Sequence, residues 1–188
     1  MAAIREERPT DIAAREALLD ACFGEERFEK TCERLREGRA PAAGLSLVLE
    51  LDGKVAGTVR LWPITAGPDR PALLLGPIAI DCRLQGLGLG SRLMREALAR
   101  AKARGHEAVL LVGDAPYYGR FGFSAEKTGT LRLPGPYARE RFLALELVPG
   151  ALDGAQGLVA AGEPEAAPIL GTIVHAANDP GPASVQAA

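Results

Sequence analysis

Gln85-Gly86-Leu87-Gly88-Leu89-Gly90 lies between a run of apolar residues and a long amphipathic segment. Three glycines here alternate with two leucines. Bare glycines at a strand-to-helix turn let an anion approach the main chain, and the exposed N–H groups and the helix dipole then hold it without a cationic side chain. The loop, continued into Ser91, therefore reads as a cradle for a phosphate-like group. Spacing narrows the kind of cradle. A dinucleotide fingerprint needs G-x-G-x-x-G, but counting from Gly86 the third position is Ser91, and from Gly88 it is Leu93. A P-loop needs a Gly-Lys-Ser/Thr ending, and the segment has no lysine. The spacing that remains is Q-x-x-G-x-G, on Gln85, Gly88 and Gly90.

The flanks support a strand, a turn and a helix. Pro71–Ile80 is almost wholly apolar, as in a strand buried on both faces, and Gly76-Pro77 should interrupt its ladder because proline lacks a donor. After the glycines, Leu89, Leu93, Ala97, Leu98 and Ala101 mark one helix face, and Arg92, Arg95, Glu96, Arg100 and Lys102 the other. Gly105 stops that helix. A short buried strand follows at Ala108–Val112, then a short helix over Ala115–Phe121, a strand at Leu131 and Arg132, and another over Phe142–Val148. Toward the N-terminus, Ala3–Glu7 reads as an edge strand. Thr10 or Asp11 caps a helix carrying Ile12, Leu18, Leu19 and Cys22, which Gly24 breaks. A second helix is expected over Glu25–Glu37, with Phe28, Cys32 and Leu35 as its stripe. Leu45–Leu51 and Val55–Ile64 form a hairpin about Asp52-Gly53. Beyond Pro149 the chain is rich in Ala, Gly and Pro, and Asn178–Ala188 reads as a disordered tail.

Composition sets the class. With 188 residues, the chain suits one domain with a sizeable core. Hydrophobic residues at 47% and charged residues at 24% are ordinary for a globular protein, and a net charge of −2 argues against a nucleic-acid binder. Cys22, Cys32 and Cys82 form neither a disulfide framework nor a zinc motif, and His106 and His175 are too few for a histidine metal site or a Ser-His-Asp triad. No metal is therefore expected. The N-terminus lacks an apolar leader, and no run of about 18 apolar residues suggests a membrane span. A cytoplasmic protein is the expectation.

The pattern on Gln85, Gly88 and Gly90 resembles the pyrophosphate-binding motif of the GNAT superfamily of N-acetyltransferases. The wider run from Ile80 to Gly90 looks like that family's strand-loop-helix unit, and Tyr118-Gly119-Arg120-Phe121-Gly122-Phe123 follows in the family's order. The resemblance covers roughly residues 3–148 by element order and is specific over 78–123. It is nearest to bacterial predicted acetyltransferases that carry Gly-Asp-x-x-Tyr-Tyr-x-Arg-Phe-Gly-Phe, here Gly113 to Phe123. It implies an α/β fold: a mixed, mostly antiparallel central sheet flanked by helices, with a splayed strand pair at the acyl-CoA site. Residues 1–150 would be the acetyltransferase domain and 151–188 a C-terminal extension.

The implied activity is transfer of an acetyl group from acetyl-CoA, the cosubstrate, to a primary amine of a small molecule, amino acid or peptide. The amine attacks directly in a ternary complex. By the same resemblance, the amides of Ile78, Ala79 and Ile80 bind the pantetheine arm, and Gln85, Gly86, Leu87, Gly88, Leu89, Gly90 and Ser91 hold the diphosphate. Tyr118 protonates the leaving thiolate, with Tyr117 as the neighbouring alternative. Many relatives have an asparagine upstream that helps hold CoA, and Asp114 is not given that role. Arg83 either adds charge near the phosphates or is a solvated loop residue. Some relatives place a glutamate on the splayed strand, but Leu73–Ile80 contains no carboxylate, so the general base is unassigned: Asp114, Glu50, a water chain or a substrate that arrives already deprotonated can fill the role. Cys82 reads as structural, having no histidine near it in sequence. The missing carboxylate motivates an alternative, a non-catalytic acyl-CoA-binding or sensor module. The acceptor pocket is expected around Phe23–Phe28 and Pro134–Arg141, with Arg132, Arg139 and Arg141 able to steer an acidic acceptor. The partners expected are acetyl-CoA and an amine, with no nucleic acid and no membrane, for a monomer or a homodimer paired through late strands.

Overall fold

A computed structural model describes residues 2–29 and 31–163. The tail Asn178–Ala188 and His175 lie outside the described residues. The chain opens with β1 (Ala2–Glu6), an edge strand antiparallel to β2 (Ser46–Leu51), with Ala2 opposite Leu51 and Glu6 opposite Leu47. Asp52 and Gly53, both at positive φ (49° and 79°), turn β2 into β3 (Lys54–Ala66), as the two-residue hairpin signal requires. β3 is 13 residues long and organises the sheet. One edge pairs with β2 and then, over Ile64–Ala66, with β8 (Gly157–Ala161); the other pairs antiparallel with β4 (Pro71–Ile80). β5 (Ala108–Val112) runs parallel to β4, and β7 (Phe142–Glu146) antiparallel to β5. A two-residue strand, β6 (Leu131–Arg132), pairs parallel with β8. The result is the expected mixed, mostly antiparallel sheet, of eight strands among the described residues, flanked by helices.

Strand alternation divides the core in two. On one face, Leu47, Leu49, Leu61, Leu73, Leu75, Val109 and Leu111 pack under α2 (Leu89–Ala103), which buries Leu93, Met94, Ala97, Leu98 and Ala101. On the other, Trp62, Ile64, Leu74, Leu110 and Phe142 meet Leu131, Leu133, Leu152 and Val159 from the late part of the chain. A smaller cluster seats α1 (Ile12–Phe23) on this sheet through Leu18, Leu19 and Ala79.

Three elements differ from the sequence expectation. The helix expected over Glu25–Glu37 is two 3-10 segments, Glu25–Glu29 and Thr31–Leu35. Its apolar stripe does not share one buried face: Phe28 is 56% exposed while Leu35 is 3% exposed. Side-chain hydrogen bonds pin the second segment to the late loop, with Thr31 Oγ1 donating to Pro136 O and Arg34 Nη1 donating to Pro134 O at 3.0 Å. The short helix expected over Ala115–Phe121 ends earlier, as α3 (Ala115–Gly119). β8 lies in the Ala/Gly-rich region where no strand was expected, beyond residue 150, and its Val159 is fully buried.

The strand pair opens where the sequence placed its interruption. β4 pairs with β5 only through Leu73 and Leu74, opposite Val109 and Leu110, and then continues to Ile80 along β3 alone. Gly76 and Pro77 bulge opposite the β3 register shift between Val59 and Leu61, and Trp62 Nε1 donates to Gly76 O at 2.6 Å. Past that bulge the outer edge of β4, over Ile78–Ile80, pairs with no strand among the described residues.

Candidate active site

The glycine loop is built by its backbone. Asp81 at the end of β4 accepts the Arg83 N–H at 3.0 Å, starting a 3-10 turn over Cys82–Leu84. Gly86 and Gly88 follow at φ +81° and +74°, a left-handed conformation that a side chain strains, and Gly88 is the N-cap of α2. The first N–H groups of α2, which lack intrahelical acceptors, therefore open toward a cavity of about 460 Å³. Ile78, Ala79, Ile80, Gln85, Gly86, Gly88, Leu89, Gly90 and Ser91 all line it. Leu87, also expected there, is 67% exposed and does not line the cavity. Arg83 folds back on Asp81 in an ion pair of 2.6 Å, and its side chain is 83% exposed. That contact holds the Asp81 carboxyl down at about 2.

Tyr117 and Tyr118 close the other side of this cavity. Asp114 is the N-cap of α3, its Oδ2 accepting the Tyr117 N–H at 3.0 Å, and this sets the direction in which both rings leave the helix. The Tyr118 ring lies flat on Gly113, where a Cβ would stand 2.1 Å from its Cε2. It meets Tyr117 and Phe123 edge-on, at centroid distances of 5.0 and 6.0 Å. Burial pushes the Tyr118 phenol up to about 12, with Tyr117 and Asp114 adding to the shift and Arg141 opposing it. The Tyr117 hydroxyl lies beside Gly90, 3.3 Å from where a Cβ would stand. Arg120, which the sequence reading did not assign, lines the same cavity and lies over the Tyr117 ring at 4.4 Å.

A second cavity, of about 700 Å³, shares Ile78, Tyr117 and Tyr118 with the first. Leu75, Gly76 and Pro77 of the bulge form its floor, with Val112, Gly113 and Asp114 beside them. Phe23 and Arg27 form one wall, Thr31, Cys32, Glu33 and Arg36 another, and Pro136, Tyr137, Ala138 and Arg141 a third. The hydrogen bonds from Thr31 and Arg34 to the loop at 134–136 clamp two of these walls together. This wall set overlaps the expected Phe23–Phe28 and Pro134–Arg141 regions. Glu33 and Arg36 are added by tertiary packing alone, because nothing in their spacing marks them. Of the arginines expected to steer an acceptor, only Arg141 lines the cavity; Arg139 is bonded to Leu131 O at 2.8 Å and to Thr128 O. Asp114 lines the cavity, whereas Glu50 sits on β2 in an ion pair with Arg5 at 2.7 Å. Cys82 is exposed on the loop, and Cys22 donates to Ile80 O at 3.5 Å, tying α1 to the end of β4. A wider depression of about 810 Å³, between the β3–β4 turn and β8, shares no residue with either cavity.

The family model for Acetyltransferase (GNAT) matches residues 12–123. The uncharacterized N-acetyltransferase YhbS of Escherichia coli K12 is 33% identical over 157 residues, 83% of this chain and 93% of the relative. The crystal structure of Escherichia coli YhbS in complex with CoA superposes with a TM-score of 0.73 at 33% identity, covering 85% of this chain and 89% of that one. A GNAT acetyltransferase from Brucella melitensis in complex with acetyl-CoA gives a TM-score of 0.61 at 31% identity, over 85% and 95% of the two chains.

Proposed function

This chain belongs to the GNAT family of acetyltransferases, and we propose that it transfers an acetyl group from acetyl-CoA to a primary amine by direct attack in a ternary complex. The observation that carries this reading is the meeting of two cavities at Ile78, Tyr117 and Tyr118, where β4 has left β5. One cavity has the chemistry of a diphosphate site, with glycine-lined amides at a helix start. The other is large enough for a small amine. Similar proteins crystallised with CoA and with acetyl-CoA support the thioester as cosubstrate.

Bound acetyl-CoA supplies an activated acyl group: the neutral amine nitrogen bonds to the carbonyl carbon, the carbon–sulfur bond breaks, nitrogen gives up one proton and sulfur gains one, so an amide and the CoA thiol result; an amine arriving as ammonium releases one further proton. The α2 amides and the loop from Gln85 to Ser91 hold the diphosphate. The outer edge of β4 over Ile78–Ile80 orients the pantetheine arm and offers N–H donors to the carbonyl oxygen as charge grows on it. Holding both reactants in adjoining cavities replaces a bimolecular encounter with a positioned one. Tyr118 faces the junction and donates a hydrogen bond to the departing sulfur. The proton lost by the amine passes to a carboxylate of the second cavity, Asp114 or Glu33, or to water there.

Acetyl-CoA titration with a CoA-release assay against amines, amino acids, polyamines, aminoglycosides and peptides tests the proposal. Binding together with release for at least one acceptor class is expected. Binding without release from any of them would instead favour the sensor module; no binding at millimolar acetyl-CoA would remove both.

A further inference from the structure

The Arg36 side chain is nine-tenths buried, at 9% exposure, and forms part of the second cavity's wall. Its Nε donates to Cys32 O at 3.2 Å and its Nη2 pairs with Glu33 at 3.0 Å. Among the described residues Nη1 has no partner. It lies at the bulge that floors the cavity, 4.0 Å from where a Cβ of Gly76 would stand. Burial lowers the Arg36 pKa, and Glu33 only partly opposes this, so the buried cation is under-compensated.

The other charges around the cavity are mostly engaged. Arg27 is held by Glu16 and by Asp20, the latter at 3.0 Å, and Asp114 accepts the Tyr117 N–H. Glu33 already serves Arg36. Arg141 lines the cavity from the late loop, and among the described residues its guanidinium makes no hydrogen bond or ion pair. Two guanidiniums therefore bring uncommitted donors to one cavity. The planar fork of arginine suits a carboxylate. Phe23, Leu75, Pro77 and Ile78 supply an apolar surface beside them.

We propose that the acceptor is an amine that also carries a carboxylate, chemically an amino acid, with its carboxylate held by Arg36 Nη1 and Arg141 and its amine directed to the junction at Ile78 and Tyr118. This rests on the acetyl-transfer reading and narrows it. The product is the N-acetyl amino acid, with the carboxylate unchanged, and the thiol of CoA is released.

Matched acceptors test it: L-phenylalanine against phenethylamine, L-tryptophan against tryptamine, and L-leucine against isoamylamine, each at saturating acetyl-CoA. The amino acid of each pair is expected to show the higher kcat/KM, by roughly 10–100-fold for a charge-assisted contact. Arg36→Gln should raise the amino-acid KM by a similar factor, leave the acetyl-CoA KM in place, and narrow the gap within each pair. Arg141→Gln, at an exposed position, does the same if Arg36→Gln fails to fold. Equal or better turnover of the decarboxylated amines overturns the proposal, as does an unchanged amino-acid KM in both variants. Calorimetry of the same amino acids with the CoA-loaded protein separates the two readings. Binding that is lost in the variants, without CoA release, keeps the carboxylate site and removes the acetyl-transfer reading; absence of amino-acid binding overturns the site.

Discussion

Tyr118 is fixed on three sides, by Gly113 beneath its ring and by Tyr117 and Phe123 at its edges. A phenol pushed up to about 12 stays neutral across the working range and keeps its O–H for donation. It is also a weak acid. A thiol near 8.5 lies roughly 3.5 units lower, so complete transfer of the proton to a free thiolate would be uphill by about 5 kcal/mol. Hydrogen bonding to the sulfur while the carbon–sulfur bond breaks therefore suits Tyr118 better than full protonation, and solvent can protonate the released thiolate. Tyr118→Phe removes that donor and keeps the ring packing. It should lower kcat by about 10²-fold and leave acetyl-CoA affinity within about twofold, as read by steady-state kinetics and calorimetry. An unchanged kcat would take Tyr118 out of the chemistry.

Among the elements, the start of α2 matters most to the site. Gly88 caps this helix at φ +74° with no neighbour near a would-be Cβ, so an alanine there meets backbone strain but no collision. The strain is about 1–2 kcal/mol. Gly88→Ala should turn the loop away from the shape proposed to hold the diphosphate and weaken acetyl-CoA binding by about tenfold, measured by calorimetry, with folding retained. A second element-level contact joins β1 to the start of α1. The buried Asp11 carboxylate accepts from Arg5 Nη1 at 2.6 Å, from Arg5 Nη2 at 3.0 Å and from the Arg8 N–H at 2.7 Å. The Arg5 hydrogen bonds, followed by that of Arg8, hold Asp11 down at about 2. Its folded pKa is thus below the unfolded value, so its stabilisation is present above about pH 4 and is lost as pH falls toward 2. Asp11→Asn should cost on the order of 1–2 kcal/mol at pH 7. The Tm difference between wild type and variant should hold from pH 6 to about pH 4.5 and then shrink toward pH 2.5; a constant difference down to pH 2.5 would mean that the charge contributes nothing.

At the scale of the whole molecule, the sheet is open, and β4 and β5 pair at Leu73 and Leu74 and fork beyond them, while β3 runs along β4 on both sides of the fork. Its first half holds the hairpin with β2, and its last residues hold β8 along the same edge. Val159 of β8 is fully buried in the core that also contains Trp62 and Phe142, so this strand is part of the packing on which β4 and β5 rest. Val159→Ala should destabilise the fold by about 1–3 kcal/mol, measured by urea unfolding, with acetyl-CoA affinity unchanged in the folded protein. A loss below about 0.5 kcal/mol would mean that β8 is an appendage. The fork beyond Leu74 gives two cavities one shared wall, a relation between strands that no single element contains.

The amino-acid sequence by itself determined the glycine turn, the helix behind it, the hairpin at Asp52-Gly53 and the interruption at Gly76-Pro77. Each depends on conformations that neighbouring residues impose on the backbone, so each leaves a local signature. Composition hid β8, because Gly157-Leu-Val-Ala-Ala161 resembles the loop residues around it and becomes a strand only against β3. The expected second helix is instead two tighter turns, whose apolar positions Phe28 and Leu35 do not share a buried face, and whose Thr31 and Arg34 side chains bond to a loop about 100 residues away. Tertiary structure alone added Arg36 to the cavity that Tyr118 and Arg141 line. Spacing along a chain carries no record of which distant side chains will share a wall, because that is decided by how sheet and loops bury their apolar faces together.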